Sequence, residues 1–170
     1  MLCRAWGVVL LGVLVVAPAR LAAQEDDIGI PLGATPGPVQ IEDLDGKLVD
    51  LSQYVGKQPV LVEFWATWCP LCKALLPRME AARRKYGERV QFLVVAVAVN
   101  QSQTSIRRHL QRHPMTLPVL WDTDGRATRA FQAPSTSYVV VLDAMGRVVY
   151  TGSGSDQDIE AAVGKAFTAP

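Results

Sequence analysis

Apolar runs that alternate with helix-like stretches are the feature that most restricts the fold of this chain. The runs cover residues 60–65, 90–99, 117–121 and 138–142. The helix-like stretches cover residues 72–86, 105–113, 124–131 and 156–167. Most of the runs are nearly continuous and rich in β-branched residues, as is typical of strands buried on both faces. The alternation predicts an α/β fold with a central sheet, parallel crossovers and helices on both faces.

Turn signals add short strands at both ends of this core. Residues 39–49 follow a pattern of strand, polar turn and strand, which predicts an N-terminal β-hairpin. A turn signal at residues 143–146, which begins with Asp and ends with Gly, predicts a closing hairpin after the last apolar run. Asp50 is expected to cap one short helical turn. We assign residues 39–170 to a single domain.

The first 23 residues have the order of an export signal. Arg4 is followed by an uncharged apolar run over residues 5–19, and small residues precede an acidic stretch. The run is shorter than the roughly 20 residues of a membrane-spanning helix. We predict a signal peptide cleaved after Ala23, with an uncleaved membrane anchor as the alternative. The protein is then exported, either soluble after cleavage or tethered to the membrane by the uncleaved leader.

Residues 24–38 contain three acidic residues, three prolines and three glycines, without an apolar period. This composition predicts a flexible linker between the leader and the domain.

Charge and cysteine content narrow the functional classes. The chain has 17 Lys plus Arg and 16 Asp plus Glu, a net charge of +1, so a nucleic-acid partner is not expected. Its three cysteines are too few for a disulfide-rich scaffold. Cys3 lies in the leader, which leaves Cys69 and Cys72 in a compartment where disulfides persist.

Cys69 follows a predicted buried strand and precedes a predicted helix. Unpaired N–H groups and the positive end of the helix dipole are expected to lower the pKa of its thiol. Cys72 lies one helical turn later, within disulfide reach, and Pro70 suits the first helical position. The pattern predicts a redox-active pair, in which one sulfur attacks and the other resolves the mixed disulfide.

Two other readings of the pair are weaker. A structural disulfide across two intervening residues constrains the unfolded chain little. A zinc site needs further ligands. The spaced pair His109 and His113 is separated from Cys72 by 36 residues and lies in a basic run typical of a solvated helix face. We therefore expect neither a metal nor a cofactor.

The segment 60–73, VLVEFWATWCPLCK, resembles the active-site strand and turn of the thioredoxin superfamily. The leader, the segment LDGKLVDLSQYVGK before the strand, and an insert around residues 101–116 are similar to the TlpA-like branch of exported thiol-disulfide oxidoreductases. The resemblance covers about residues 39–167. It implies a thioredoxin fold, a central mixed sheet flanked by helices, with an N-terminal β-hairpin extension. It also implies that Cys69 attacks protein disulfides, that Cys72 resolves, and that a membrane electron donor supplies the reducing equivalents.

Glu63 stands six residues before Cys69, where this family has a buried acid. A carboxyl group there is expected to be desolvated, with a raised pKa, and to relay a proton to or from Cys72. The alternative is that Glu63 points outward from an edge strand.

The family places a cis-proline directly before the strand that follows the active-site crossover, where its backbone pairs with substrate. Pro134 is the nearest proline, but the usual spacing to the hairpin glycine points to Ser137, which we favour. We expect Trp68, Pro70 and whichever of Pro134 and Ser137 fills this position to bind an extended substrate. A serine beside the thiols leaves them open to metal ions, which motivates an alternative function as a copper-delivery protein with Cys69 and Cys72 as soft ligands.

The dipeptide between the cysteines supplies no charge to stabilise a thiolate strongly. This favours a reductant over a strong oxidant. The sequence therefore predicts an exported thiol-disulfide oxidoreductase that reduces substrate disulfides.

Overall fold

The computed structural model describes residues 29–168. The predicted leader at residues 1–23 and the first part of the linker lie outside this range. Within it the strands are β1 (Gln40–Asp43), β2 (Leu48–Asp50), β3 (Val60–Trp65), β4 (Gln91–Val97), β5 (Val119–Asp122), β6 (Tyr138–Leu142) and β7 (Val148–Gly152). The helices are α1 (Pro70–Tyr86), α2 (Gln103–Arg112), α3 (Arg126–Ala130) and α4 (Ile159–Lys165), with a short 3-10 helix at Leu51–Gln53.

All seven strands form one mixed sheet in the order β2-β1-β5-β4-β3-β6-β7. β3, β4 and β5 are parallel, and their connections contain α1 and α2. β6 runs antiparallel to β3, and β1 runs antiparallel to β5. The hairpin of β1 and β2 extends one edge of the sheet, as the sequence predicts. The predicted central mixed sheet flanked by helices is therefore observed.

The central strand β3 separates two apolar layers. Its six residues are all buried, and successive side chains alternate between the two faces of the sheet. Leu61 and Trp65 pack in the layer that contains α1, α2 and α4, whereas Val62 and Phe64 pack in the layer that contains α3. Glu63 lies between Leu61 and Trp65 in the chain, so its side chain enters the layer of α1.

The described part of the predicted linker, residues 29–38, is attached to the domain and is not a free tether. The backbone N–H of Ile30 donates to the Tyr138 hydroxyl at 3.0 Å, and the Ile30 side chain is buried. Gly33 and Ala34 exchange backbone hydrogen bonds of 2.8 Å with Val148 of β7. Composition does not reveal these contacts of an isolated isoleucine and the backbone beside it, and the domain boundary at residue 39 stays a prediction.

Element ends differ from the predicted ones where local capping decides them. β3 and β6 have the predicted bounds, but β4 ends at Val97 and the chain then turns through Asn100, whose φ is 53°. α4 begins at Ile159 because the Asp158 side chain accepts a hydrogen bond from the N–H of Ala161. Among residues 29–168, no helix is both long and apolar enough to cross a membrane.

Candidate active site

The cysteine pair lies where the parallel strands β3, β4 and β5 have their carboxyl ends, a common place for sites in α/β sheets. Cys69 is the N-cap residue of α1, and its Sγ accepts a hydrogen bond of 3.0 Å from the N–H of Cys72. The two cysteines form a disulfide with a Cα–Cα distance of 5.4 Å. Cys69 is 6% exposed and Cys72 is 1% exposed, so Cys69 presents the more accessible sulfur.

The start of α1 favours a negative charge on the Cys69 sulfur. The first turn of the 17-residue helix contains no acidic side chain that would oppose the positive end of the helix dipole. Pro70 occupies the first turn, as predicted, where its missing N–H leaves no helical bond unmade. The N–H of Cys72 already points at the Cys69 sulfur. These features stabilise the thiolate that thiol-disulfide exchange requires.

Glu63 is 1% exposed on a strand that β4 and β6 flank. The hypothesis that it points outward from an edge strand is therefore wrong. Its neighbours in register are Val94 and Val139, and its Oε1 has no hydrogen-bond partner among the described residues. Burial raises the pKa of Glu63 from 4.5 to about 8. A carboxyl group with such a pKa, in the layer of α1, is able to exchange a proton near neutral pH.

An apolar surface surrounds the disulfide. The exposed fractions of the Trp68, Leu71 and Val99 side chains are 48%, 48% and 56%. A groove of 390 Å³ extends from Trp68 to Pro134 and the residues beside it. Exposed apolar side chains beside a reactive pair are suited to binding a polypeptide with apolar residues.

The structure separates the two candidates for the proline position. Ser137 comes directly before β6, is buried, and donates its backbone N–H to the carbonyl of Phe64 at 2.7 Å. Its φ is 58°, in the left-handed region that residues with a Cβ seldom adopt. Pro134 lies three residues earlier, is exposed, and lines the groove beside Trp68. Ser137 is therefore the residue that lies beside the end of β3, next to the loop that leads to Cys69.

Comparison with known proteins places this arrangement in a family. Residues 32–166 match the family described as Redoxin. The chain belongs to the Redoxin family. The thiol-disulfide oxidoreductase ResA of Bacillus subtilis is 30% identical over 115 residues, which cover 68% of this chain and 63% of that relative. ResA of Halalkalibacterium halodurans is 27% identical over 122 residues, which cover 71% of this chain and 68% of that relative.

Solved structures share the fold of this Redoxin-family protein. A putative thiol:disulfide interchange protein DsbE from Chlorobium tepidum has a TM-score of 0.69 at 21% identity and covers 82% of this chain and 96% of its own. The exposed lipoprotein thioredoxin of Streptococcus pneumoniae has a TM-score of 0.65 at 26% identity and covers 76% of this chain and 98% of its own. The predicted thioredoxin fold is confirmed. With the family, the relatives and the paired cysteines in agreement, the predicted thiol-disulfide oxidoreductase of the TlpA-like branch is confirmed as well.

Of the two histidines of the Redoxin-family chain, which the sequence favours as part of a basic helix face over a zinc site, His109 lies on α2 and His113 is the C-cap residue of that helix. The His109 ring packs edge-on against Trp65, with ring centroids 5.6 Å apart. The centroids of the His109 and His113 rings are 4.8 Å apart. Burial, followed by the nearby charges of His113, Arg112 and Lys73, lowers the pKa of His109. Among residues 29–168, no group of three or more His, Cys, Asp or Glu side chains is placed to hold a metal ion.

Sequence reasoning missed two glutamines that bond to the active-site loops. The Gln101 side chain contacts Thr67, 34 residues earlier in the chain, and the Gln157 side chain donates to the carbonyl of Ser137 at 2.9 Å. A single glutamine in a loop carries no periodic or spacing signal. Only the folded arrangement reveals these contacts.

Proposed function

We propose that this protein is exported to the cell envelope and reduces disulfides of other proteins through a mixed disulfide at Cys69, which Cys72 resolves. The observation that carries the proposal is the pair at the start of α1, with its more accessible sulfur at an apolar surface and a buried carboxyl group in the layer behind it. Each part of this arrangement supports one step of the exchange.

The reaction begins with the reduced pair. The Cys69 thiolate attacks one sulfur of the substrate disulfide, forms a bond to it, and releases the other substrate sulfur as a thiolate that takes up a proton. The Cys72 thiol then loses its proton, and its sulfur attacks Sγ of Cys69. This step closes the disulfide between the cysteines and releases the second substrate thiolate, which is protonated. The substrate gains two electrons and the pair loses two, which a dithiol donor must return.

Glu63 is the group that we assign to the second step. Its carboxylate would accept the proton of the Cys72 thiol. Because Cys72 is only 1% exposed, the thiol has no direct route to bulk water. Its raised pKa, about 8, suits a group that takes a proton from a thiol at neutral pH. Returning the proton from Glu63 completes the reverse reaction when the pair is reduced again.

The two residues between the cysteines support the role of a reductant of substrate disulfides. Pro70 and Leu71 carry no charge that would stabilise the reduced form strongly, as is required in a strong oxidant. The apolar leader of the sequence supports export, and the apolar surface around Cys69 supports protein substrates over small charged disulfides. A membrane electron donor, a soluble or tethered periplasmic form, and substrate binding by Trp68, Pro70, Pro134 and Ser137 belong to this proposal.

The reduction potential of the Cys69–Cys72 couple tests the direction. We expect a value nearer to about −270 mV, typical of thioredoxin, than to about −120 mV, typical of a strong oxidant. The measurement is equilibration with glutathione buffers, with the oxidised fraction read by alkylation and mass. A potential near that of the strong oxidants would contradict the reducing assignment, and insulin reduction with dithiothreitol as donor provides the accompanying activity.

A further inference from the structure

The loop between β3 and Cys69 is fastened to the loop between β4 and α2 by one side chain. Oε1 of Gln101 accepts hydrogen bonds from the Thr67 N–H at 2.9 Å and from the Thr67 hydroxyl at 3.0 Å. Nε2 of Gln101 donates to the carbonyl of Val97 at 2.6 Å. The amide thus ties the residue two positions before Cys69 to the end of the neighbouring strand.

The same pair of loops also holds the tryptophan beside the disulfide. Nε1 of Trp68 donates to the carbonyl of Val99 at 2.8 Å, although Trp68 is 48% exposed. Val99 lies midway along the segment from Val97 to Gln101, which the hydrogen bond between these two residues closes. The left-handed backbone at Asn100 turns the chain so that Gln101 faces Thr67.

We propose that Gln101 is a positioning residue for protein substrates, because it holds the Trp68 and Val99 side chains as a preformed docking surface beside Cys69. This inference rests on the proposed function and deepens it. A polypeptide must contact that surface to bring its disulfide to Cys69, whereas a small disulfide needs only the sulfur itself. Preorganised contacts spare the cost of ordering the loop when a substrate binds.

The experiment compares Gln101→Ala with the unmodified protein on two substrates, insulin and oxidised glutathione. Loss of the three bonds is expected to lower kcat/KM for insulin roughly tenfold, mainly through a higher KM. The reason is that the net contribution of such hydrogen bonds changes an equilibrium constant by about one order of magnitude. The rate with oxidised glutathione should change less than about twofold, because Cys69 and α1 are untouched. Gln101→Glu keeps an acceptor for Thr67 and should recover part of the loss.

Gln103→Ala is the matched control. Gln103 begins α2 two residues later and bonds through its side chain to Glu42, on the N-terminal hairpin. Its replacement should leave both substrates unaffected. Trp68→Phe removes the bond to Val99 but keeps an aromatic ring. The double variant with Gln101→Ala should have a kcat/KM for insulin no lower than that of the less active single variant, since both substitutions act through one loop.

Equal rates on insulin for Gln101→Ala and the unmodified protein would overturn the inference. So would an equal loss on both substrates, which indicates a general structural defect, or additive losses in the double variant. These results leave the proposed function intact. If the unmodified protein itself fails to reduce insulin, that result contradicts the proposed function, independently of the comparison with Gln101→Ala.

Discussion

Replacing Glu63 with glutamine is expected to raise the free energy of unfolding by about 5 kcal/mol at pH 9 and by no more than about 1 kcal/mol at pH 5. The buried carboxyl group has a pKa of about 8 in the folded protein and an ordinary value of 4.5. Below the lower value both states hold the proton, so this site does not make stability depend on pH. As pH rises from 4.5 to about 8, the unfolded chain releases the proton while the folded protein keeps it, and stability falls. A glutamine does not titrate and escapes this loss.

Urea unfolding of the oxidised protein at several pH values between 5 and 9 measures this effect. The stability curves of the unmodified protein and of Glu63→Gln should diverge steadily as pH rises. Glu88→Gln, which replaces an exposed carboxyl group, is the control and should follow the unmodified protein. Parallel curves for Glu63→Gln and the unmodified protein would show that Glu63 is not the buried titrating group described above.

The same substitution should slow the resolving step. Glutamine is unable to accept the proton of Cys72, so the mixed disulfide should persist longer and the pH dependence near 8 should disappear from its decay. A gain in stability together with a loss in resolving rate is typical of groups retained for function at a cost to folding.

Replacing Ser137 with proline is expected to destabilise the protein by roughly 3 kcal/mol or more. Proline fixes φ near −65°, whereas Ser137 has a φ of 58°. Proline also removes the N–H that donates to the buried carbonyl of Phe64 at 2.7 Å. The family's usual residue should therefore be poorly tolerated in this chain without rearrangement of the loop.

Ser137→Gly is the matched comparison, because glycine accepts the left-handed conformation and keeps the backbone N–H. It loses only the hydrogen bond that the Ser137 hydroxyl accepts from the N–H of Gly154 at 3.1 Å. We expect its stability to stay within about 1 kcal/mol of the unmodified protein. Thermal and urea unfolding give the comparison, and a proline variant as stable as the glycine variant would contradict the account of this loop.

The strands of this fold can be predicted from the sequence where every residue of the strand is buried. The site can be predicted where its residues are close together in the chain. β3 and β6 are continuous β-branched runs and have the predicted bounds, and the cysteines follow β3 at the start of α1 as expected. Because every residue of β3 is apolar except Glu63, no alternation in the sequence tells which face that carboxyl group enters. Its direction becomes visible only once β4 and β6 are known to flank the strand.

Contacts between distant segments explain what the sequence does not predict. Ile30 and Ala34 look like linker residues, yet they bond to Tyr138 and Val148, more than one hundred residues later. Gln101 likewise acts on Thr67 through an amide that has no pattern around it. Such pairings depend on how the strands are ordered in the sheet, which single-residue properties do not encode.

The central claim is that substrate sulfur bonds to Cys69 and that Cys72 releases it. The most direct test mixes reduced Cys72→Ser with insulin, in a background where Cys3 is replaced by alanine, and measures intact masses without reductant. We expect a covalent adduct between Cys72→Ser and insulin that dithiothreitol removes, and no adduct with Cys69→Ser. An adduct that forms with Cys69→Ser and not with Cys72→Ser, or with neither variant, would contradict the assignment.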